Sequence, residues 1–422
     1  MRKQRIKGVF AVAVALSFVA AACGSDDDDT SATTPAVETD AVADTAAPAD
    51  TAAPADTAAP ADTAAPAVTE DPAGTVEECT TPTPVRFQLQ WVTQAQFAGY
   101  FAAADQGFYE AMCLDVTILE GAVDIVPQTV LANGDADFAI TWVPKALASR
   151  EAGADIVNIA QVYQRSGTLQ VSFKDRNITS PADFAGKKIG NWGYGNEWEV
   201  FAAMTKAGLD PADVENVAQQ FDMVAFLEGD IDAAEAMTYN EYAQIQEAIN
   251  PDTGELYTAD DFNVINYEEE GVGMLQDSIW ADGSRLSDPD YEDMAVRFVA
   301  ASLQGWAYCR DNADACAQLV TDKNTILGLT HQKWQMNEVN KLIWPADQGV
   351  GYIDQAAWDR TSELSQSTKN AEGGQVLTKA PDADAYTNDI VTAAHGLLRD
   401  MGVDINGDDF TPATVTLTEG GV

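Results

Sequence analysis

Histidine is nearly missing from this 422-residue chain, which carries only His331 and His395. Neither lies in a loop rich in partners, so no Ser–His–Asp set can be assembled. Cysteine is sparse too. The five are Cys23, Cys79, Cys113, Cys309 and Cys316, with no C-x-x-C pair, and no zinc or other metal site is expected. Phosphate loops and H-E-x-x-H are absent, and no cofactor is expected. Positive charge is the third shortage, with 23 Lys and Arg against 67 Asp and Glu and a net charge of −44. Residues 79–422 alone hold 19 basic against 53 acidic side chains. Such a surface repels nucleic acid and gives no steering toward phosphorylated or sulfonated ligands. Nucleic acid is therefore not an expected partner. Beyond Cys23 no apolar run is long enough to cross a bilayer.

What is present begins with a basic head, Arg2, Lys3, Arg5 and Lys7, followed by the apolar run Gly8 to Ala22. That pattern predicts a signal peptide over residues 1–22. Ala20-Ala21-Ala22-Cys23 resembles a bacterial lipobox, with Ala20 where Leu is usual. The expectation is cleavage before Cys23 and acylation there, leaving the protein extracytoplasmic and anchored to the outer face of the cell membrane. An ordinary A-x-A cleavage site is the alternative. Acylating Cys23 leaves four cysteines, an even number that suits an oxidising compartment. Of the three connectivities, Cys79–Cys113 and Cys309–Cys316 are the expected pairs.

Residues 23–78 read as the lipidated cysteine followed by a disordered tether. The segment holds Asp26 to Asp29 and a Thr-Ala-Ala-Pro-Ala-Asp hexad from Thr45 to about Ala67, without Lys or Arg. It cannot bury enough apolar surface to offset its conformational entropy.

Residues 79–422 exceed one typical core, so two lobes are expected. Val85, Phe87, Leu89 and Trp91 alternate with polar residues as a strand, and helical spacing follows from Phe97. Further strands are predicted at Leu114–Leu119, Phe138–Trp142, Ile156–Tyr163, Lys187–Trp192, Val214–Gln219 and Ala234–Thr238. Helices are predicted at Ile125–Leu131, Val143–Glu151, Asn196–Ala207 and Met223–Glu228. This alternation predicts α/β units around largely parallel sheets. Beyond about Ser287 the pattern turns helical, at 289–308, 312–321, 330–342 and 354–367. From about Lys379 the chain is polar and weakly periodic, and no element is predicted.

In open α/β sheets ligands bind beyond the carboxyl ends of the strands. The loops there supply the candidate ligand-binding residues: Trp91, Gln94, Gln96, Phe97 and Tyr100; Trp142; Arg165 and Ser166; Gly193, Tyr194, Gly195, Asn196 and Glu197; Tyr239, Asn240 and Glu241. Together they describe an aromatic, amide-rich site nearly devoid of cations. Gly193 and Gly195 free the backbone before a helix that Asn196 would cap, with Glu199 completing a capping box and exposed amides able to receive a ligand oxygen. Glu241 can accept two N–H bonds from an aminopyrimidine edge. Arg165 can equally pair with one of the many carboxylates. Asp404 to Asp409 imitates a calcium loop, but Asp409 stands where Gly is required and Val415 where the bidentate Glu belongs. Trp334, Trp344 and Trp358 read as core.

Five stretches, in order, carry a resemblance: Trp91 to Glu110, Gly134 to Phe138, Gln161 to Thr168, Asp183 to Gly190 and Ala236 to Tyr242. With them residues 85–345 resemble the substrate-binding proteins of ABC importers in the thiamine-pyrimidine-precursor family, which also contains fungal pyrimidine synthases. The resemblance implies a type II periplasmic-binding-protein fold with mixed, mostly parallel sheets flanked by helices. It implies lobe 1 from 79–172 and 273–370, lobe 2 from 173–272, a C-terminal extension at 371–422, and crossovers near Val171–Lys174 and Gly271–Gln276. It further implies a monomer that captures a small solute in the cleft between lobes and delivers it to a membrane permease. Members bind alkanesulfonates, nitrate, riboflavin or pyrimidines. The aromatic and amide residues rank formylaminopyrimidine or hydroxymethylpyrimidine first, a flavin second, and sulfonate or nitrate third. Synthase activity would need a pyridoxal-phosphate lysine, a reactive histidine and a cysteine-rich loop. No histidine lies between Cys23 and His331 and no cysteine cluster exists, so a non-enzymatic role is expected.

Overall fold

The computed structural model describes residues 79–421, so the signal segment, Cys23 and the tether lie outside the described residues. Ten strands run in chain order: β1 Thr83–Gln88, β2 Leu114–Leu119, β3 Phe138–Thr141, β4 Ile156–Gln161, β5 Thr168–Phe173, β6 Lys188–Asn191, β7 Glu215–Ala218, β8 Ala233–Met237, β9 Phe262–Asn266 and β10 Ser278–Asp282. They form two five-stranded sheets, ordered β2-β1-β3-β10-β4 and β7-β6-β8-β5-β9.

Both sheets are mixed for the same topological reason. Helical crossovers keep β1 parallel to β2 and β3, and β6 parallel to β7 and β8. The antiparallel strands, β5 and β10, are those the chain enters on arriving from the other sheet. The passages lie at residues 162–167 and 267–277. β5 occupies Thr168–Phe173 in the second sheet, so the chain has changed sheets before the expected crossover at Val171–Lys174.

The late helices cover the first sheet. Phe298, on helix Pro289–Asp311, stacks on Phe138 at 4.5 Å and meets Phe87 edge-on at 5.0 Å. Helix Ala98–Asp105 crosses helix Pro289–Asp311 at two glycines. A Cβ on Gly99 would lie 2.2 Å from Trp306, and one on Gly305 would lie 2.0 Å from the Gly99 carbonyl. The C-terminal segment is not featureless. Helix Asp389–Asp400 buries Ile390, Val391, Ala394 and Leu398 in the same core. The structure joins Cys79 to Cys113 and Cys309 to Cys316.

At the junction of the sheets, the Gln276 amide takes the Gly167 N–H and donates to Ser166 Oγ and Thr168 Oγ1. Arg360 braces Glu268 at 2.8 Å beside it. The two passages are thus pinned to each other by buried polar bonds.

Candidate functional site

A cavity of about 230 Å³ lies between the lobes, below the usual ~300–1,000 Å³ of ligand pockets. One wall is the first lobe's loop after β1 (Gln90, Trp91, Gln94, Gln96), the turn at 122–128, and Thr141, Trp142 and Lys145 after β3. The other is Trp192, Tyr194, Asn196 and Phe221 with Met237, Tyr239, Asn240 and Glu241 after β8. These groups sit at the carboxyl end of a strand, in the loop that follows it, or on the first turn of the next helix, as Lys145 and Glu241 do.

The aromatic side chains form a box. Trp91 meets Phe221 across the cleft at 4.8 Å between centroids, and Trp192 lies nearly parallel to Phe221 at 6.2 Å. Tyr194 stands at the rim, 78% exposed, on a left-handed backbone (φ 54°) between Gly193 (φ 68°) and Gly195 (φ 86°). A bulky residue in that region is costly, and here it keeps a largely exposed ring in the lining of the cavity. Gly121 is a second backbone requirement, since a Cβ there would lie 2.4 Å from the Trp91 nitrogen.

Polar groups are arranged around Asp277, which ends the second passage and is buried. Its carboxylate accepts from Gln96 Nε2 at 3.0 Å, Trp142 Nε1 at 2.9 Å and Gln90 Nε2 at 3.1 Å. Gln94 Nε2 in turn donates to Gln96 Oε1 at 2.7 Å. Burial raises the Asp277 carboxyl to about 6, against the lowering pull of Trp142, Gln96 and Lys145. Lys145 brings a cation to the wall, its Nζ 5.0 Å from the centroid of the Trp142 ring. Burial pushes its ammonium down to about 8, opposed by Glu197, Asp277 and Glu235.

Of the expected residues, the cleft brings together Trp91, Gln94, Gln96, Trp142, Tyr194, Asn196, Tyr239, Asn240 and Glu241. The others fall elsewhere. Phe97 and Tyr100 turn into the core, Tyr100 against Phe87 at 4.8 Å and Trp306 at 5.5 Å. Arg165 donates to the carbonyls of Leu342, Trp344 and Pro345, and Ser166 belongs to the junction. The Gly193 and Gly195 amides are taken by Asn191 and Glu197. Glu197, not Asn196, stands at the start of helix Trp198–Lys206, and Glu199 is buried, bonding the Met274 amide instead of completing a capping box. Glu241 reaches the cleft, but its oxygens already accept from the Met237 amide (2.9 Å) and Asn240 Nδ2 (2.8 Å). Asp404 holds the amides of Asn406 and Gly407 and pairs with Arg310, as a turn. Among the described residues no His, Cys, Asp and Glu cluster suits a metal ion.

Sequence reasoning passed over Gln90, Lys145, Phe221 and Asp277 as site residues. Lys145 carried a usable signal, being three residues past Trp142 on the first turn after a strand. His331 was also missed. It is buried behind the site, with Nε2 at 2.9 Å from Asn240 Oδ1 and Nδ1 at 2.9 Å from Glu247.

Known proteins align with this architecture. Residues 94–316 match the family model described as NMT1/THI5 like. The chain is 26% identical over 319 residues to the riboflavin-binding protein RibY of Chloroflexus aurantiacus, covering 73% of this chain and 86% of that one. It is 23% identical over 233 residues to the formylaminopyrimidine-binding protein of Halalkalibacterium halodurans, covering 54% and 67%. Among solved structures, the alkanesulfonate-binding protein of Xanthomonas axonopodis pv. citri bound to MOPS superposes with a TM-score of 0.52 at 15% identity, over 73% of this chain and 99% of that one. The fold is that of the periplasmic binding proteins. On the extent of the family match, the chain belongs to the NMT1/THI5-like family.

Proposed function

We propose that this protein is the extracytoplasmic solute-binding component of an ABC importer, capturing a planar heteroaromatic solute for a membrane permease. The observation that carries this reading is the box of Trp91, Phe221 and Trp192 beside a wall of glutamines. Flat rings want stacking faces and edge hydrogen bonds, and this cavity supplies both. It supplies one cation, Lys145, where an oxyanion would call for several donors. A thiamine pyrimidine precursor, formylaminopyrimidine or hydroxymethylpyrimidine, suits a cavity of about 230 Å³ better than a three-ring flavin with its polyol chain. Riboflavin is the second reading, favoured by the extent of the match to the riboflavin-binding relative. The role is binding without catalysis. Cys23 would be the lipid anchor, and a monomer would serve.

Thermal unfolding with each candidate is the test, since a ligand that binds only the folded state raises the melting temperature. A rise with a pyrimidine precursor and none with alkanesulfonates supports the reading. A rise with alkanesulfonates alone would sink it, and a rise with riboflavin alone moves the assignment to the second reading.

A further inference from the structure

The glutamines of the cleft are not free to present either end of their amides. Asp277 fixes them. An ionised carboxylate only accepts, so the groups facing it must be donors: Trp142 Nε1, Gln96 Nε2 and Gln90 Nε2. Turning Gln96 this way points its carbonyl at Gln94, which must then offer its own Nε2. At the end of the relay stands Gln94 Oε1, and the amide of Gln90, with its Nε2 on Asp277, leaves its own Oε1 over. Among the described residues neither oxygen receives a bond from a protein donor, and both residues line the cavity.

We propose that Asp277 is the positioning residue that sets the polarity of this glutamine wall, so that the cleft offers two carbonyl acceptors and selects a ring whose edge donates N–H. The inference rests on the heteroaromatic reading above and deepens it. An exocyclic amino group on the ring meets acceptors, whereas an exocyclic oxygen at the same position meets two like-signed carbonyl dipoles and leaves all three groups unpaired. A 4-amino and 4-oxo pyrimidine pair, in which the exocyclic donor becomes an acceptor and the adjacent ring nitrogen gains an N–H, carries the test, and N-methylation of that ring nitrogen separates the two changes.

The Asp277→Asn substitution has a determinate consequence because an indole N–H can only donate. Trp142 will keep the Asn oxygen, which turns the Asn Nδ2 toward Gln96. Gln96 must reverse to accept it, and Gln94 must reverse in response, ending with an amino group in the cleft. Wild-type protein is expected to bind the 4-amino pyrimidine at least tenfold more tightly than its 4-oxo counterpart. Asp277→Asn should reduce that preference below threefold or invert it. Gln94→Met, which removes the terminal carbonyl and leaves Asp277 alone, should lower the preference by several-fold.

Acid gives an independent readout, because a protonated Asp277 can donate to one glutamine and release it. The groups facing Asp277 are Lys145, Tyr100, Tyr163 and Tyr239, and the tyrosines are pushed above their usual range by burial and stay neutral. The preference should be half-lost near pH 6 in wild type, complete about one unit above and gone well below, as Asp277 takes its proton. In Asp277→Asn it should not change there, and the ligand's own titration is common to both profiles. Calorimetric titration of both pyrimidines into the full chain, its two variants and the acid series decides the matter. An amino preference that survives in Asp277→Asn and Gln94→Met overturns the inference and leaves the functional reading standing. Failure of wild type to bind any pyrimidine overturns both.

Discussion

Lys145 is the residue whose environment is least expected from its position in the sequence. It sits on the first turn of a helix, yet packs over Trp142 and against the backbone of Gly195, where a Cβ would lie 3.2 Å from its Cγ. Its ammonium is held near 8 when folded against 10.5 when free. Between those values the unfolded chain binds more protons than the folded one, so stability rises with pH from about 8 to about 10.5. Below about 8 the cost of burying the charge is present in full. Lys145→Met should therefore flatten the difference in melting temperature across that window, while leaving the affinity for a neutral pyrimidine unchanged within about threefold. Thermal scans of both proteins at half-unit pH steps check this, and parallel curves would refute it. The same variant should weaken any anionic ligand sharply, which makes it a second discriminator between solute classes.

At the scale of elements, legibility followed local periodicity. Leu114–Leu119 and Val143–Glu151 were read with their observed ends because apolar alternation or helical spacing stops there abruptly. The strands that escaped are Thr168–Phe173, Phe262–Asn266 and Ser278–Asp282. Two of them are the antiparallel strands the chain enters after changing sheets, with no preceding helix to announce them. Helix Asp389–Asp400 escaped because its apolar stripe of Ile390, Val391, Ala394 and Leu398 is embedded in Asp, Asn and Gly. The site divides the same way. Strand-end loops betrayed Trp91, Trp142 and Tyr239, whereas Asp277 stands 181 positions along the chain from Gln96 and no local pattern reports that contact. Long-range placement also rests on Gly121, which packs against the backbone of Leu89, Gln90 and Trp91. Gly121→Ala must push the Trp91 backbone aside, since overpacked sites relax by moving backbone. It should weaken pyrimidine binding about tenfold and lower stability by about 1–3 kcal/mol. Urea unfolding and titration calorimetry would show both effects, and a loss of stability with unaltered affinity would separate this glycine from the site.

The whole molecule is a strongly anionic body with a nearly uncharged mouth, and that combination predicts a kinetic signature. Residues 79–422 carry 19 basic and 53 acidic side chains, while the cleft wall is made of aromatic, amide and aliphatic side chains with one lysine, Lys145, and one carboxylate, Glu241. A neutral pyrimidine feels little of this field, so its association rate should not depend on ionic strength. An alkanesulfonate must approach through a repulsive potential, and added salt would shield it: the screening length falls from ~30 Å at 0.01 M to about 10 Å at 0.1 M. Its association should therefore accelerate severalfold over that range. Several indoles line the cleft, so stopped-flow tryptophan fluorescence can follow the entry of either ligand. A flat salt profile with a pyrimidine and a rising one with a sulfonate is the expected pair. A pyrimidine rate that climbs with salt would mean that the ligand enters as an anion, and the assignment of a neutral heteroaromatic solute would fall with it.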